Sequence, residues 1–284
     1  MINNEMMYNI AMESNNEKWS QWLAGLTDGD GCFYINKKEK TVSFEITTHI
    51  LDIRVLYNIK NKLKAGNLTL RSNSQSVRYR VKQKKVIFEI VKRVNGKLHD
   101  KYRIKQLKQV CELLNLPYIN PPLILGKNNA YLSGLIDSNG TLTISVSKSS
   151  AENSQKSGVE GRKIRLINSK GYNQITFKIT SVDLKKLNVI KDSYGFGSIY
   201  IEKVDPRNRN PKDQYHWIIR SFVDFQCIYE YLKINPLKST KMHRIRLSLL
   251  YFKYKDLGYH LKPLGSIERK IWSKFCTSWF KYSF

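Results

Sequence analysis

The chain has 284 residues, enough for one large or two small domains with real cores, and 41% of them are hydrophobic. Lys and Arg number 49 against 23 Asp and Glu, a formal net charge of +26 that repels itself in a compact state and calls for a polyanionic partner. No apolar run approaches the roughly 20 residues of a membrane span and no basic amphipathic helix dominates, so nucleic acid rather than a membrane is the expected partner.

In chain order, residues 1–17 are polar, carry neither a secretory nor a transit pattern, and read as a flexible leader. Trp19 to Asp28 has apolar positions at helical spacing, and Gly31 follows as a stop. Strands are expected at 32–37 and 41–49, the second with Val42, Phe44 and Ile46 on one face. A helix at 50–63, strands at 67–72 and 76–82, and helices at 84–94 and 101–115 complete a first half, 18–116. The strand S-V-R-Y-R-V-K puts Arg78, Arg80 and Lys82 on one face with Ser76, either a nucleic-acid surface or a solvated strand face.

The Pro-rich stretch 117–127 reads as a linker. The second half, 128–284, then repeats the order: helix 128–139, strand 140–147, strand 173–180, helix 182–193, strands 197–204 and 214–220, and helices 222–233 and 240–254. A polar insertion at 149–171 holds the basic run Arg162, Lys163 and Arg165, a second candidate nucleic-acid surface, and 265–284 adds a C-terminal helix. Cys32, Cys111, Cys227 and Cys276 form no C-x-x-C pair, so they read as free thiols in a reducing compartment. The abundance of Lys, Asn, Ile and Tyr hints at A/T-rich codons, as in a mitochondrial genome.

Two stretches are near copies, W-L-A-G-L-T-D-G-D-G from Trp22 and Y-L-S-G-L-I-D-S-N-G from Tyr131, separated by a whole small domain rather than a solenoid unit. They resemble the motif of LAGLIDADG homing endonucleases and group I intron maturases, and the resemblance covers about residues 18–255. It implies an α+β fold of two pseudo-symmetric αββαββα halves with antiparallel, saddle-shaped sheets, paired through the two motif helices. It also implies a monomer with internal pseudo-two-fold symmetry.

In that family the acid at position eight of each motif binds a divalent metal, Mg²⁺. Here position eight is Asp30 in one copy and Asn139 in the other, so the expected site is weak or vestigial. The helix dipole makes an acid at a helix C-terminus unfavourable without a cation, which gives the metal a physical reason. Asp28 and Asp137, two positions earlier, are helix-end structural groups or substitute ligands. The family's lysine near the metals matches Lys101 and Lys241, and a water-positioning polar residue falls near Thr48 and Ser181, where glutamine is common.

The resemblance therefore implies an intron-encoded maturase, binding its group I intron RNA with an additional splicing helper protein. It further implies a mitochondrial matrix protein encoded by a fungal mitochondrial intron, such as one in cytochrome b. The alternative is an active or nicking endonuclease on double-stranded DNA; a third reading is a DNA-binding scaffold without splicing activity.

Overall fold

A computed structural model describes residues 4–147, 156–203 and 213–283, with side chains from residue 12 onward. The first half runs α1 (Asn4–Asp30), β1 (Gly31–Asn36), β2 (Thr41–His49), α2 (Ile53–Leu63), β3 (Asn67–Leu70), β4 (Ser76–Val81), α3 (Lys84–Val94) and α4 (Lys101–Leu113). The second runs α5 (Tyr131–Asn139), β5 (Gly140–Val146), α6 (Gly158–Ile167), β6 (Asn173–Ser181), α7 (Leu184–Tyr194), β7 (Ser198–Glu202), β8 (Gln214–Ile219), α8 (Phe222–Ile234), α9 (Lys241–Asp256) and α10 (Ile267–Trp279). Between α4 and α5 the chain forms neither helix nor strand.

Each half holds one antiparallel four-stranded sheet, ordered β1-β2-β4-β3 and β5-β6-β8-β7. Alternation decides which face each strand buries. Val77, Tyr79 and Val81 of β4 turn inward against Phe44 and Ile46 of β2, and Phe177 and Ile179 of β6 lie against Trp217 and Ile219 of β8 in the same way. α6 and α10 have no counterpart in the first half.

Two expectations change. α1 begins at Asn4, so residues 4–17 are not a separate flexible leader. The chain from Asn4 to Ala24 has no Gly or Pro to break a helix. Near its middle the helix finds partners: Lys62 Nζ donates to Asn16 Oδ1 (2.7 Å) and Lys97 pairs with Glu17 (3.4 Å). The expected polar insertion contains a helix, α6, in which Gly161 and Leu166 are buried and Arg162 is exposed; residues 149–155 of that insertion lie outside the described residues.

The halves meet through α1 and α5, which touch backbone to backbone. A Cβ on Gly25 would lie 1.9 Å from the Tyr131 carbonyl oxygen, and one on Gly134 would lie 1.9 Å from that of Trp22. Leu23, Leu26, Leu132 and Leu135 close around this contact, all buried. Polar bonds cross it in reciprocal pairs. Trp22 Nε1 donates to Asp137 Oδ2 (2.8 Å), and the Tyr131 hydroxyl donates to Asp28 Oδ2 (2.6 Å).

Even alanine is too large at this crossing, and its neighbours are backbone atoms that cannot rotate away. Gly134→Ala, and separately Gly25→Ala, should lower the melting temperature of the whole chain, with a loss of about 1–3 kcal/mol or more. A melting temperature equal to the parent's in either variant would show that the helices do not pack through these residues.

Candidate functional site at the paired helix ends

Because α5 packs against the last turns of α1, the two helices end together, and each runs directly into the first strand of its sheet. Position eight of each motif is the last helical residue, Asp30 or Asn139. A Cβ on Gly29 would lie 1.9 Å from Ser138 Oγ and 2.6 Å from Asn139 Oδ1, so the Asn139 amide reaches the last turn of α1 beside Asp30. The ends open into a cleft of about 660 Å³ lined by Asp30, Thr48, His49, Asp52, Ser138 and Lys241, among others.

Two negative helix ends side by side need positive charge. At α5 it is Lys241, whose Nζ donates to the carbonyl oxygens of Ile136 (2.9 Å), Asp137 (2.8 Å) and Ser138 (2.7 Å). Burial pulls the Lys241 pKa down, and the nearby Asp137, Asp52 and Asp30 oppose that shift. At α1, burial pushes Asp30 up to about 6, against the pull of Lys241 and Arg103.

Lys101, the expected partner of Lys241, is not among the residues lining the cleft. It is exposed, its ammonium lies 5.3 Å from the Tyr102 ring centre, and its backbone N–H donates to Asp183 Oδ2 (3.0 Å). The cation of that half acting on Asp30 is Arg103, which sequence reasoning missed. Of the two expected water-positioning residues, Thr48 lines the cleft. Ser181 is buried, and its Oγ accepts the Asp183 N–H (2.9 Å) just before α7.

The Asp28 and Asp137 carboxylates are buried and bonded within the protein, although Asp137 also lines the cleft. Asp28 Oδ2 accepts the N–H groups of His99 (2.6 Å) and Asp100 (3.1 Å), just before α4. Asp137 accepts those of Lys238 and Ser239 (both 3.0 Å), just before α9. Burial raises both carboxyls, Asp28 to about 7. A second reciprocal pair spans the halves: Asp52 Oδ1 accepts from Thr240 N (2.6 Å), and Asp183 accepts from Lys101 N. Asp100 caps α4 and pairs with Lys186 (2.8 Å), a lysine whose side chain is only 2% exposed.

Among the described residues no three of His, Cys, Asp and Glu gather as a metal cluster. The donors present at the helix ends are the Asp30 carboxylate and the Asn139 amide oxygen. These fit a hard divalent cation through oxygen, but with one formal charge instead of two.

The two candidate basic surfaces separate. Arg78 and Arg80 lie on the outward face of the first sheet, both tied to Glu45 (3.2 and 2.7 Å), while Lys82 is exposed just past β4. Arg162, Lys163 and Arg165 lie on α6, where Lys163 pairs with Glu160 (2.7 Å).

Removing the ammonium of Lys241 leaves buried carbonyls without a donor. Lys241→Met should cost about 1–3 kcal/mol, read as a lower urea midpoint at unchanged slope. Lys101→Met should stay within about 0.5 kcal/mol of the parent. Equal losses in the two variants would mean that the lysines are equivalent and that the described capping is wrong.

A family profile described as LAGLIDADG endonuclease matches residues 23–115 and 132–249. A Debaryomyces hansenii protein named "Probable intron-encoded endonuclease aI2" is 34% identical over 93% of this chain and 38% of its own length. The Saccharomyces cerevisiae "Intron-encoded RNA maturase bI4" is 32% identical over 96% of this chain, again 38% of its own length. The chain thus spans under two fifths of these two relatives. It spans 88% of the Dictyostelium discoideum "Intron-encoded DNA endonuclease ai2b", at 26% identity over 91% of this chain. Among solved structures, the LAGLIDADG meganuclease I-AabMI bound to uncleaved DNA superposes with a TM-score of 0.61, at 19% identity over 90% of this chain and 98% of that one. The meganuclease I-SmaMI, bound to uncleavable DNA, gives 0.60 at 18% identity, over 89% of this chain and 95% of that one. Two matched segments, two motif helices in backbone contact and two four-stranded sheets make one assignment: the chain belongs to the LAGLIDADG endonuclease family.

Proposed function

We propose that the chain is an intron-encoded maturase: it binds its host group I intron RNA and assists folding and splicing, while the RNA does the chemistry. The observation that carries this reading is the charge at the helix ends. One carboxylate, Asp30, stands against the neutral Asn139, and the end of α5 is already neutralised by Lys241. A bound Mg²⁺ would polarise phosphoryl oxygens, and a pair of carboxylates suits that role better than one. Losing an electrostatic group of this kind typically costs about 2.7–4 kcal/mol in a transition state, or roughly a hundred- to thousandfold in rate. We therefore read the Mg²⁺ position at Asp30 and Asn139 as weak or vestigial. RNA binding needs only a basic surface that meets phosphates and shape, which the charge of +26 supplies. The yeast relative's name supports this reading.

The second reading is a DNA endonuclease or nickase acting on double-stranded DNA at an intron-insertion site. Its support is the retained Asp30 and a fold shared with DNA-bound meganucleases. Under either reading the protein works as a monomer in the mitochondrial matrix, and the maturase reading adds a splicing helper protein. Among the described residues no helix is long and apolar enough to cross a membrane.

The test is to incubate the protein with its own precursor RNA, and separately with DNA of the intronless allele, both with Mg²⁺. The protein should speed splicing and leave the DNA uncut, and Asp30→Asn should splice as well as the parent. Lost splicing in Asp30→Asn, with unchanged fold and RNA affinity, would overturn the maturase reading, as would efficient DNA cleavage without any splicing effect. Asn139→Asp adds a carboxylate beside Asp30, so Mg²⁺ should raise its melting temperature more than the parent's. The same Mg²⁺ shift in both proteins would show that Asn139 is not at a metal position.

A further inference from the structure

The segment between α9 and α10 carries apolar side chains into solvent. Leu257, Leu261, Leu264 and Ile267 all lie in it, and Leu264 and Ile267 are 83% and 75% exposed.

The segment is nevertheless well anchored. Tyr259 stacks on Tyr254 with 5.4 Å between ring centres, and the buried His260 ring lies 5.6 Å from that of Trp272. Arg269 donates to the His260 carbonyl oxygen, and Ser266 Oγ caps α10 by accepting the Arg269 N–H (3.1 Å). The Ser266 N–H donates to the Pro263 carbonyl oxygen (3.2 Å), with Gly265 at a φ of +96°, which closes a tight turn. Leu264 sits inside that turn, at its tip. Anchoring residues thus alternate with apolar ones that the core does not take. Apolar surface held in water is unfavourable, and a cluster of it marks a place that meets another phase or partner.

Positive charge borders the tip. Lys262 lies between Leu261 and Leu264, and Ile267, Lys270 and Lys274 follow one another along one exposed face of α10. Lys170 is exposed in the neighbouring turn, where a Cβ on Gly171 would lie 3.9 Å from Leu261 Cδ2. The acids of the same stretch are Asp256 and Glu268, fewer than its cations. Aliphatic side chains bordered by lysines match the two layers of an anionic lipid surface, acyl chains beneath and negative headgroups above. A nucleic-acid strand would use the cations but stacks on aromatic faces, not on leucine and isoleucine. A protein partner would need a pocket shaped to the turn, whereas a fluid bilayer needs none.

The loop is also remote from the helix-end cleft. Gly171 stands just before β6, and the other end of that strand, Ser181, lies at the junction of the halves, where Asp183 accepts from Lys101 N. A strand of this length spans roughly 25–30 Å, so contact with lipid at the loop leaves the cleft open.

We propose that the 257–267 loop docks the protein on an anionic lipid bilayer, inserting Leu264 and Ile267 among the acyl chains while Lys262, Lys270 and Lys274 meet headgroup phosphates. Neither the maturase nor the endonuclease reading uses this loop, so lipid docking stands or falls apart from them.

The test sediments the full chain with vesicles of phosphatidylcholine mixed with phosphatidylglycerol, and with vesicles of phosphatidylcholine alone. The parent should bind the anionic vesicles about tenfold more tightly than the neutral ones. Leu264→Gln/Ile267→Gln should weaken anionic binding about tenfold and leave affinity for intron RNA unchanged. The control, Leu123→Gln/Ile124→Gln, removes two exposed apolar side chains from the linker between the halves and should bind vesicles as the parent does. A second readout is Leu264→Trp. The five native tryptophans are all buried, so the added indole reports on the loop, and its emission should shift to the blue with anionic vesicles. Equal binding of the parent to both kinds of vesicle would overturn the proposal, as would equal losses in the apolar variant and the control. Anionic binding unchanged in the apolar variant would reject it too, and so would an emission from Leu264→Trp that anionic vesicles do not move. An apolar variant that loses affinity for intron RNA and keeps it for vesicles would give the surface to RNA and exclude lipid.

Discussion

The structure depends on one contact, the backbone approach of α1 and α5 at Gly25 and Gly134. Because no side chain separates the helices there, their C-termini cannot splay, and two negative helix ends arrive at one place. What happens at the cleft is a response to that charge. Lys241 neutralises the end of α5 with three hydrogen bonds, and burial makes the charge of Asp30 costly at the end of α1. An asparagine at position eight of α5 agrees with this balance, since an ammonium already serves the end beside it.

Around the symmetric contact, function is asymmetric. The acids of position six and the acids ahead of α2 and α7 are used alike in both halves, as acceptors for the loops and helix starts that face them. The cations are not used alike. Lys241 is tied into the site and Lys101 is in solvent, and only the second half adds α6 and α10. A scaffold built from a repeat thus presents a one-sided charged surface.

Much of this was legible in the sequence, for reasons that differ by element. The strand faces followed from alternation, as in β4, because a half-buried sheet leaves a period of two in the residues. The paired helices followed from the two near-identical stretches with their small residues. α6 was hidden because its segment carries two glycines and a dense run of charge, and its burial depends on α10 far along the chain. The split between Lys101 and Lys241 was invisible for a similar reason. Both start a helix and both precede a leucine by six positions, so only the distance to carbonyls of another element separates them. The cross-half bonds, such as Trp22 to Asp137, left no local signal at all, because each joins residues more than 80 positions apart.

Those reciprocal bonds bear on how the gene can change. The acids Asp28, Asp137, Asp52 and Asp183 are each buried, and each takes a donor from the opposite half. A half expressed alone would keep the carboxylates and lose their cross-half donors, along with the partner helix that shields its motif. Recombination that swapped one half for that of a distant relative would mismatch Trp22 against the acid of a foreign α5, or Tyr131 against that of a foreign α1. The two halves are therefore expected to be inherited together, with breakpoints tolerated only where both sets of donors and acceptors already agree.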